Sequence, residues 1–250
     1  MAYESNDVII GGDGPALEGY LTWPTNAGRS RPGVVLVHGF PSIARPGAPS
    51  RSYHLLAGRI SDELGWGALA LSLRGCGDSQ GQFSVDGWLD DINRAVDYLS
   101  ERARHVCLIG STTGGSLSII AASQNEKVQG VATIAARADF DDWAGEPGLF
   151  LEHCRRVNVI SEPGFPVEPA AWAEQIAANR AIDHVAGLRG RDLLVIHGAS
   201  DRQVPAGDAR ELADAHASAH LRILDGGDHR VRHDPRCVAL LLGWLDRASD

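Results

Sequence analysis

The chain contains five short runs of apolar residues in which hydrophobic and polar positions do not alternate. They are Val34–Gly39, Gly67–Leu73, His105–Gly110, Val128–Ala136 and Asp192–Gly198. Runs of this kind are typical of strands that are covered on both faces, as in a parallel sheet. The pattern therefore predicts a buried sheet rather than a sheet with one face in water.

Segments with helical spacing separate these runs. They are Tyr53–Leu64, Val85–Ser100, Gly115–Ser123 and Asp208–Ala217, and a closing helix is predicted over Pro235–Arg247. Strands that alternate with helices indicate right-handed crossovers and a mostly parallel sheet with helices on both faces. Asp7–Trp23 is predicted as two strands around a Gly/Pro turn at an antiparallel edge, and Ala219–Gly226 as the last strand.

One connection is much longer than an ordinary crossover. A single α/β domain can hold all of residues 1–250, and within it residues 137–190 lie between two predicted strands. Long connections in compact domains are usually lids or binding loops, so we expect a helical cap inserted here. Its aromatic residues are candidate walls of a substrate pocket: Phe140, Trp143, Phe150, Phe165 and Trp172.

Composition narrows the class of partner. The 250 residues include 23 basic and 32 acidic side chains, giving a net charge of −9, which disfavours nucleic acid and anionic membranes as partners. The start of the chain does not read as a secretion signal, and no apolar run approaches the roughly 18 residues of a membrane span. We therefore expect a cytoplasmic protein that acts on a small molecule, with an oligomeric state that the sequence does not indicate.

The residues that follow each predicted strand carry the candidate chemistry, because ligands of α/β sheets bind beyond the carboxyl ends of the strands. These segments are HGFPS (38–42), RGCGDSQG (74–81), STTGG (111–115), HGASDRQVP (197–205) and GGDHR (226–230). A nucleophile exposed at a tight turn needs small residues two before and two after it. Gly110 and Gly114 bracket Thr112 and no other hydroxyl. Asp201 and His229 then follow in the order nucleophile, acid, base.

Over nearly its full length the chain resembles the α/β-hydrolase superfamily, and in particular its serine esterases and lipases, whose signature is Gly-x-Ser-x-Gly followed by an acid and a histidine. The resemblance implies an α/β-hydrolase fold and a catalytic triad of Thr112, Asp201 and His229. It also implies an oxyanion hole formed by Phe40 and Thr113. No cofactor or metal is implied.

Thr112 departs from the superfamily pattern, which has serine at this position. A β-branched residue in the strained turn is a conformational outlier, and such strain usually persists where function maintains it. Threonine is an established nucleophile in other enzymes. Its methyl group leads to the hypothesis that water attacks the acyl-enzyme slowly, which would favour transfer to another acceptor.

The first interpretation is an esterase that cleaves an ester or similar acyl bond of a small apolar substrate. The alternatives are a non-catalytic protein that binds a small molecule in the same pocket, and an acyltransferase or cyclase of a biosynthetic pathway. Dehalogenase and epoxide hydrolase activities are disfavoured, because those relatives carry aspartate at the nucleophile position. The His216/His220 and His229/His233 pairs lack the pattern of a zinc site, and Asp139, Asp141 and Asp142 are interpreted as a solvated face or a helix start.

Overall fold

The computed structural model describes residues 1–25, 31–42 and 49–248. Eight strands form one sheet in the order β1-β2-β4-β3-β5-β6-β7-β8. Their bounds are β1 Tyr3–Ile10, β2 Leu17–Pro24, β3 Gly33–Val37, β4 Gly67–Leu71, β5 Val106–Ser111, β6 Val128–Ile134, β7 Asp192–Gly198 and β8 His220–Leu224. β1 pairs antiparallel with β2, and β2 with β4, whereas β4, β3, β5, β6, β7 and β8 are parallel. The predicted parallel sheet with an antiparallel edge is confirmed.

Helices cover the sheet on both faces. Their bounds are α1 His54–Arg59, α2 Val85–Ser100, α3 Thr113–Gln124, α4 Asp141–Gly145, α5 Pro147–Arg156, α6 Pro169–Ala178, α7 Ala181–His184, α8 Ala206–His216 and α9 Pro235–Arg247. Short 3-10 helices span Pro49–Tyr53, Val185–Leu188 and Val231–His233, and a π-helix spans Ile60–Leu64. α4 to α7 lie between β6 and β7, where the sequence predicts the inserted helices.

The strands are apolar throughout because each one contributes to two cores. Val35 and Val37 of β3 pack with side chains of α2 and α3 on one face of the sheet. Val34 and Leu36 pack on the other face with α1 and α9. Adjacent strand residues point to opposite faces, so a strand between two helical layers needs no polar positions.

Several predicted bounds are wrong by a few residues: β1 begins at Tyr3 rather than Asp7, β4 and β8 end two residues earlier than predicted, and α3 and α8 begin two residues earlier. Two further differences have a local cause in the backbone. The predicted helix over Tyr53–Leu64 is divided into α1 and the π-helix, and it ends at Gly65, whose φ of 69° stops a right-handed helix. The strand predicted to reach Ala136 ends at Ile134, because Ala135 takes a φ of 51° and donates its N–H to the carbonyl of Ile196. Both differences arise at residues with positive φ, which hydrophobic periodicity does not reveal.

In the described ranges, none of the helices has the length and apolar character needed to cross a membrane.

Candidate active site

The turn between β5 and α3 presents Thr112 in an unusual backbone conformation. Its φ is 49° and its ψ is −122°, outside the regions open to a β-branched residue without strain. Hydrogen bonds hold this conformation: the Thr112 N–H donates to the carbonyl of Ile134 at 2.8 Å, and the Thr112 carbonyl accepts from Gly115 N at 2.9 Å. The turn is thus fixed from both sides while its side chain stays partly exposed.

The backbone around Thr112 is packed too closely for a side chain at the neighbouring glycines. A Cβ on Gly110 would overlap the carbonyl of Gly114, and a Cβ on Gly114 would overlap the carbonyl of His38. A Cβ on Gly39 would collide with the hydroxyl of Thr112 itself. The hydroxyl therefore lies against the backbone that follows β3, which is the segment predicted to contribute to the oxyanion hole.

Asp201 and His229 are joined by a hydrogen bond. Nδ1 of His229 lies 2.9 Å from Oδ2 of Asp201, whose side chain is fully buried, whereas His229 remains 23% exposed. The other oxygen of Asp201 accepts from the N–H groups of Gln203 and Val204 at 2.8 and 3.0 Å. Because a carboxylate only accepts, Nδ1 of His229 carries the hydrogen of this bond, and in the neutral ring the lone pair is then on Nε2.

The electrostatics of Asp201 favour the ionised form. Burial opposes ionisation and raises its pKa, but the N–H donors of Val204 and Gln203 and the nearby His229 outweigh burial and hold the pKa below its usual value. The group that orients His229 is therefore a carboxylate at neutral pH.

The two residues predicted for the oxyanion hole, Phe40 and Thr113, both have backbone amides near Thr112. Thr113 is the first residue of α3, and the first N–H groups of a helix have no partner within it. Within the described part of the chain, the amide of Phe40 donates to no backbone carbonyl. Both amides belong to segments that contact Thr112, and their role as an oxyanion hole stays a prediction.

Sequence reasoning did not single out two buried histidines near the predicted site, His38 and His197. His38 follows β3; its Nε2 accepts from the N–H of Leu73 at 3.0 Å and its Nδ1 lies 2.8 Å from the carbonyl of Gly39. Desolvation lowers the pKa of His38 to about 4, so a neutral ring fixes the start of the Gly39–Phe40 segment. The available signal was a His-Gly pair at the end of two apolar strands, VHG and IHG.

Four of the five candidate pocket aromatics form a cluster of rings with Phe40, and Phe165 packs against the same hydrophobic core without a ring contact to them. Phe140, Phe150 and Trp172 are buried, whereas Trp143 and Phe165 are half-buried. The ring of Phe40 lies 5.3 Å from both Trp143 and Phe150, centroid to centroid, and the Trp143 and Phe150 rings stack at 4.1 Å. The cluster thus connects the inserted helices to the segment that touches Thr112.

Other predicted residues lie outside this arrangement. Asp139 and Asp141 form ion pairs with Arg180, and Asp142 pairs with Arg137, so the acidic group is part of a surface network that includes the start of α4. The four cysteines are buried and unpaired. Among the described residues, the Asp201–His229 link of the predicted triad is a hydrogen bond, whereas the hydroxyl of Thr112 and the His229 ring share none.

Strand order, turn geometry and the Asp–His pair together define the class of α/β-hydrolase-fold proteins. A model of the Alpha/beta hydrolase family matches residues 34–239, and the chain belongs to that family. The protein YfhR of Salmonella typhimurium, described as uncharacterized, is 27% identical over 226 residues, which cover 87% of this chain and 71% of YfhR.

Solved structures share the fold at low identity. Est1E from Butyrivibrio proteoclasticus has a TM-score of 0.72 and 18% identity, with 96% of each chain covered. The Pyrococcus furiosus esterase Pf2001 has a TM-score of 0.72 and 17% identity, covering 99% of this chain and 92% of its own. At such identities the likeness extends to the fold alone.

Proposed function

We propose that this protein is an esterase that cleaves an ester or similar acyl bond of a small apolar substrate through a covalent acyl-enzyme on Thr112. The observation that carries the proposal is the position of Thr112 in a positive-φ turn against Gly39, with the hydrogen-bonded Asp201–His229 pair supplied by the loops after β7 and β8. A strained β-branched residue at that place is costly for stability and is best explained by function.

In the proposed mechanism the Thr112 oxygen attacks the acyl carbon and its proton passes to Nε2 of His229. The N–H groups of Phe40 and Thr113 donate to the oxyanion of the tetrahedral intermediate. His229 then returns the proton to the departing alcohol, leaving the acyl group esterified to Thr112. A water molecule, deprotonated by the same ring, releases the acid and restores the Thr112 hydroxyl.

The inserted segment completes the proposed site. Residues 137–190 act as a cap within a single domain that spans residues 1–250, and the half-buried rings of Trp143 and Phe165 line the apolar pocket while Phe140, Phe150 and Trp172 support them. Ferulic acid, an aromatic acid, binds to Est1E. Aromatic acyl esters therefore belong in the first substrate panel together with short aliphatic ones.

The test is hydrolysis of p-nitrophenyl esters, with aliphatic chains of increasing length and one aromatic acyl group, by wild type, Thr112→Ser, Thr112→Ala and His229→Ala. We expect wild type to turn over and both alanine variants to fall to the residual activity of the oxyanion hole, roughly 10³–10⁴-fold above water in a related triad. If wild type is no faster than Thr112→Ala, the proposal is wrong, and the alternative is a protein that binds a small molecule without turnover. Faster product formation with an added alcohol than with water would instead indicate acyl transfer.

A further inference from the structure

His197 contacts the same Asp201 carboxylate that binds His229. It is the next-to-last residue of β7, and its side chain is fully buried. Its Nε2 lies 3.0 Å from the carbonyl oxygen of Val204 and 3.5 Å from Oδ2 of Asp201. The same Oδ2 accepts the hydrogen bond from His229, so two imidazoles face one carboxylate oxygen.

The surroundings of His197 determine where its proton lies. The Val204 carbonyl and the Asp201 carboxylate are both acceptors, so Nε2 must carry the hydrogen. Nδ1 of His197 is buried and has no hydrogen-bond partner among the described residues. A buried N–H without an acceptor costs more than a buried nitrogen lone pair without a donor, which further favours the neutral Nε2–H tautomer.

Two hydrogen bonds of Val204, one from the His197 ring and one to Asp201, fix the turn after β7. Val204 donates its N–H to Oδ1 of Asp201 and accepts from Nε2 of His197 through its carbonyl. A change at His197 therefore acts on the turn and the carboxylate together. Gln203 N binds the same Oδ1, so Oδ2 is the oxygen left for the two histidines.

We propose that His197 is a positioning residue of the active site: its Nε2–H fixes the turn 201–204 and the Asp201 carboxylate, and thereby sets both the orientation and the basicity of His229. The inference rests on the proposed function of the triad. The Nε2–H of His197 donates to the Val204 carbonyl at 3.0 Å and lies 3.5 Å from Oδ2 of Asp201, so this donor places positive partial charge beside the oxygen that binds His229. Removing that donor leaves Asp201 freer to move and more strongly attractive to a proton on His229.

The experiment compares His197→Leu, which removes the donor at similar volume, with His197→Gln, whose amide N–H can reach the position of Nε2. The matched control is His216→Leu. His216 is also buried and also places Nε2 against a backbone carbonyl, that of Leu188 at 3.1 Å, but this bond lies in a different part of the fold, between α8 and the end of a 3-10 helix. Each variant is assayed for the pH dependence of kcat/KM with the best p-nitrophenyl ester, and the imidazole N–H resonances are recorded by NMR.

We expect His197→Leu to lower kcat/KM by about 10- to 100-fold, mainly through kcat, because the base is mispositioned. The acid limb of its profile of kcat/KM against pH should move to higher pH. The low-field NMR resonance of the His229 Nδ1–H should also shift. His197→Gln should restore most of the rate and the position of the limb, and His216→Leu should leave both unchanged. In wild type, long-range ¹⁵N spectra should show the proton of His197 on Nε2.

An unchanged acid limb and an unchanged His229 resonance in folded His197→Leu would overturn the inference and leave His197 a residue of the fold only. If that variant does not fold, a wild-type His197 protonated on Nδ1 overturns it equally. Failure of the proposed function has a different signature, since wild type would then show no Thr112-dependent turnover while the NMR comparison still decides the role of His197.

Discussion

Replacing Thr112 by glycine should make the protein more stable while abolishing activity. The φ of 49° and ψ of −122° at this residue carry a strain of about 1–3 kcal/mol for a side chain with a Cβ, and glycine adopts this conformation freely. Glycine also increases the entropy of the unfolded chain, which costs roughly 0.5–1 kcal/mol. The threonine side chain is only partly buried, so little packing is lost.

The net expected gain is about 0–2.5 kcal/mol in the free energy of unfolding, or roughly 0–10 °C in Tm for a chain of this size. Urea unfolding and calorimetry of wild type, Thr112→Gly and Thr112→Ala measure it, with alanine expected to fall below glycine because it keeps the Cβ. Gln124→Gly, at the exposed end of α3, measures the cost of glycine without relief of strain. Thr112→Gly as unstable as Gln124→Gly would refute the reasoning that the turn stores strain for function.

Three further predictions follow from the neighbouring residues. Gly39→Ala should reduce ester hydrolysis to the level of Thr112→Ala, because the new methyl collides with the Thr112 hydroxyl; near wild-type kcat/KM would contradict this. His38 has a folded pKa of about 4 against 6.5 for a free histidine, so the unfolded chain takes up its proton first as the pH falls. His38 should therefore contribute a loss of up to about 3 kcal/mol of stability between pH 6.5 and 4. In pH-dependent urea unfolding, His38→Gln should show a smaller slope by that amount, and a slope equal to that of wild type would contradict the assignment. Phe150→Ala should lower the free energy of unfolding by about 3–5 kcal/mol, because it removes a buried ring. Phe165→Ala removes a half-buried ring and should mainly raise KM for apolar esters. If the two variants change stability and KM equally, the distinction between a core residue and a pocket wall is wrong.

The sequence was sufficient for the elements that depend on periodicity and on turn chemistry. α2 and α9 have the predicted bounds, helped by Ser84, which accepts from the N–H of Gly87, and by Asp234 followed by Pro235 at the helix start. Gly110 and Gly114, two residues before and after Thr112, identified the turn in the sequence. The structure shows why, because a Cβ at either position would overlap backbone atoms. Asp201 and His229 were found by their position after strands, and the structure brings them within hydrogen-bond distance.

Features that depend on contacts between distant segments could not be predicted. Nothing in a local pattern indicates that β4 lies between β2 and β3, or that His197 faces Asp201 while bonding to Val204. The aromatic residues of the inserted helices show the same limit. Their composition indicated an apolar cluster, but which rings are buried depends on how α5 and α6 pack against Phe83 and Phe40.

The most direct test of the central claim is to locate the acyl group. Wild type is mixed with its best p-nitrophenyl ester, quenched in acid during the first turnovers, digested, and mapped by mass spectrometry beside Thr112→Ala. We expect the acyl mass on the peptide that contains residues 108–118, fragmentation that assigns it to Thr112, and no adduct in the alanine variant. Turnover with the acyl group on Ser111, or with no adduct at Thr112 in a rapid quench that shows a burst of p-nitrophenol, would contradict a threonine nucleophile.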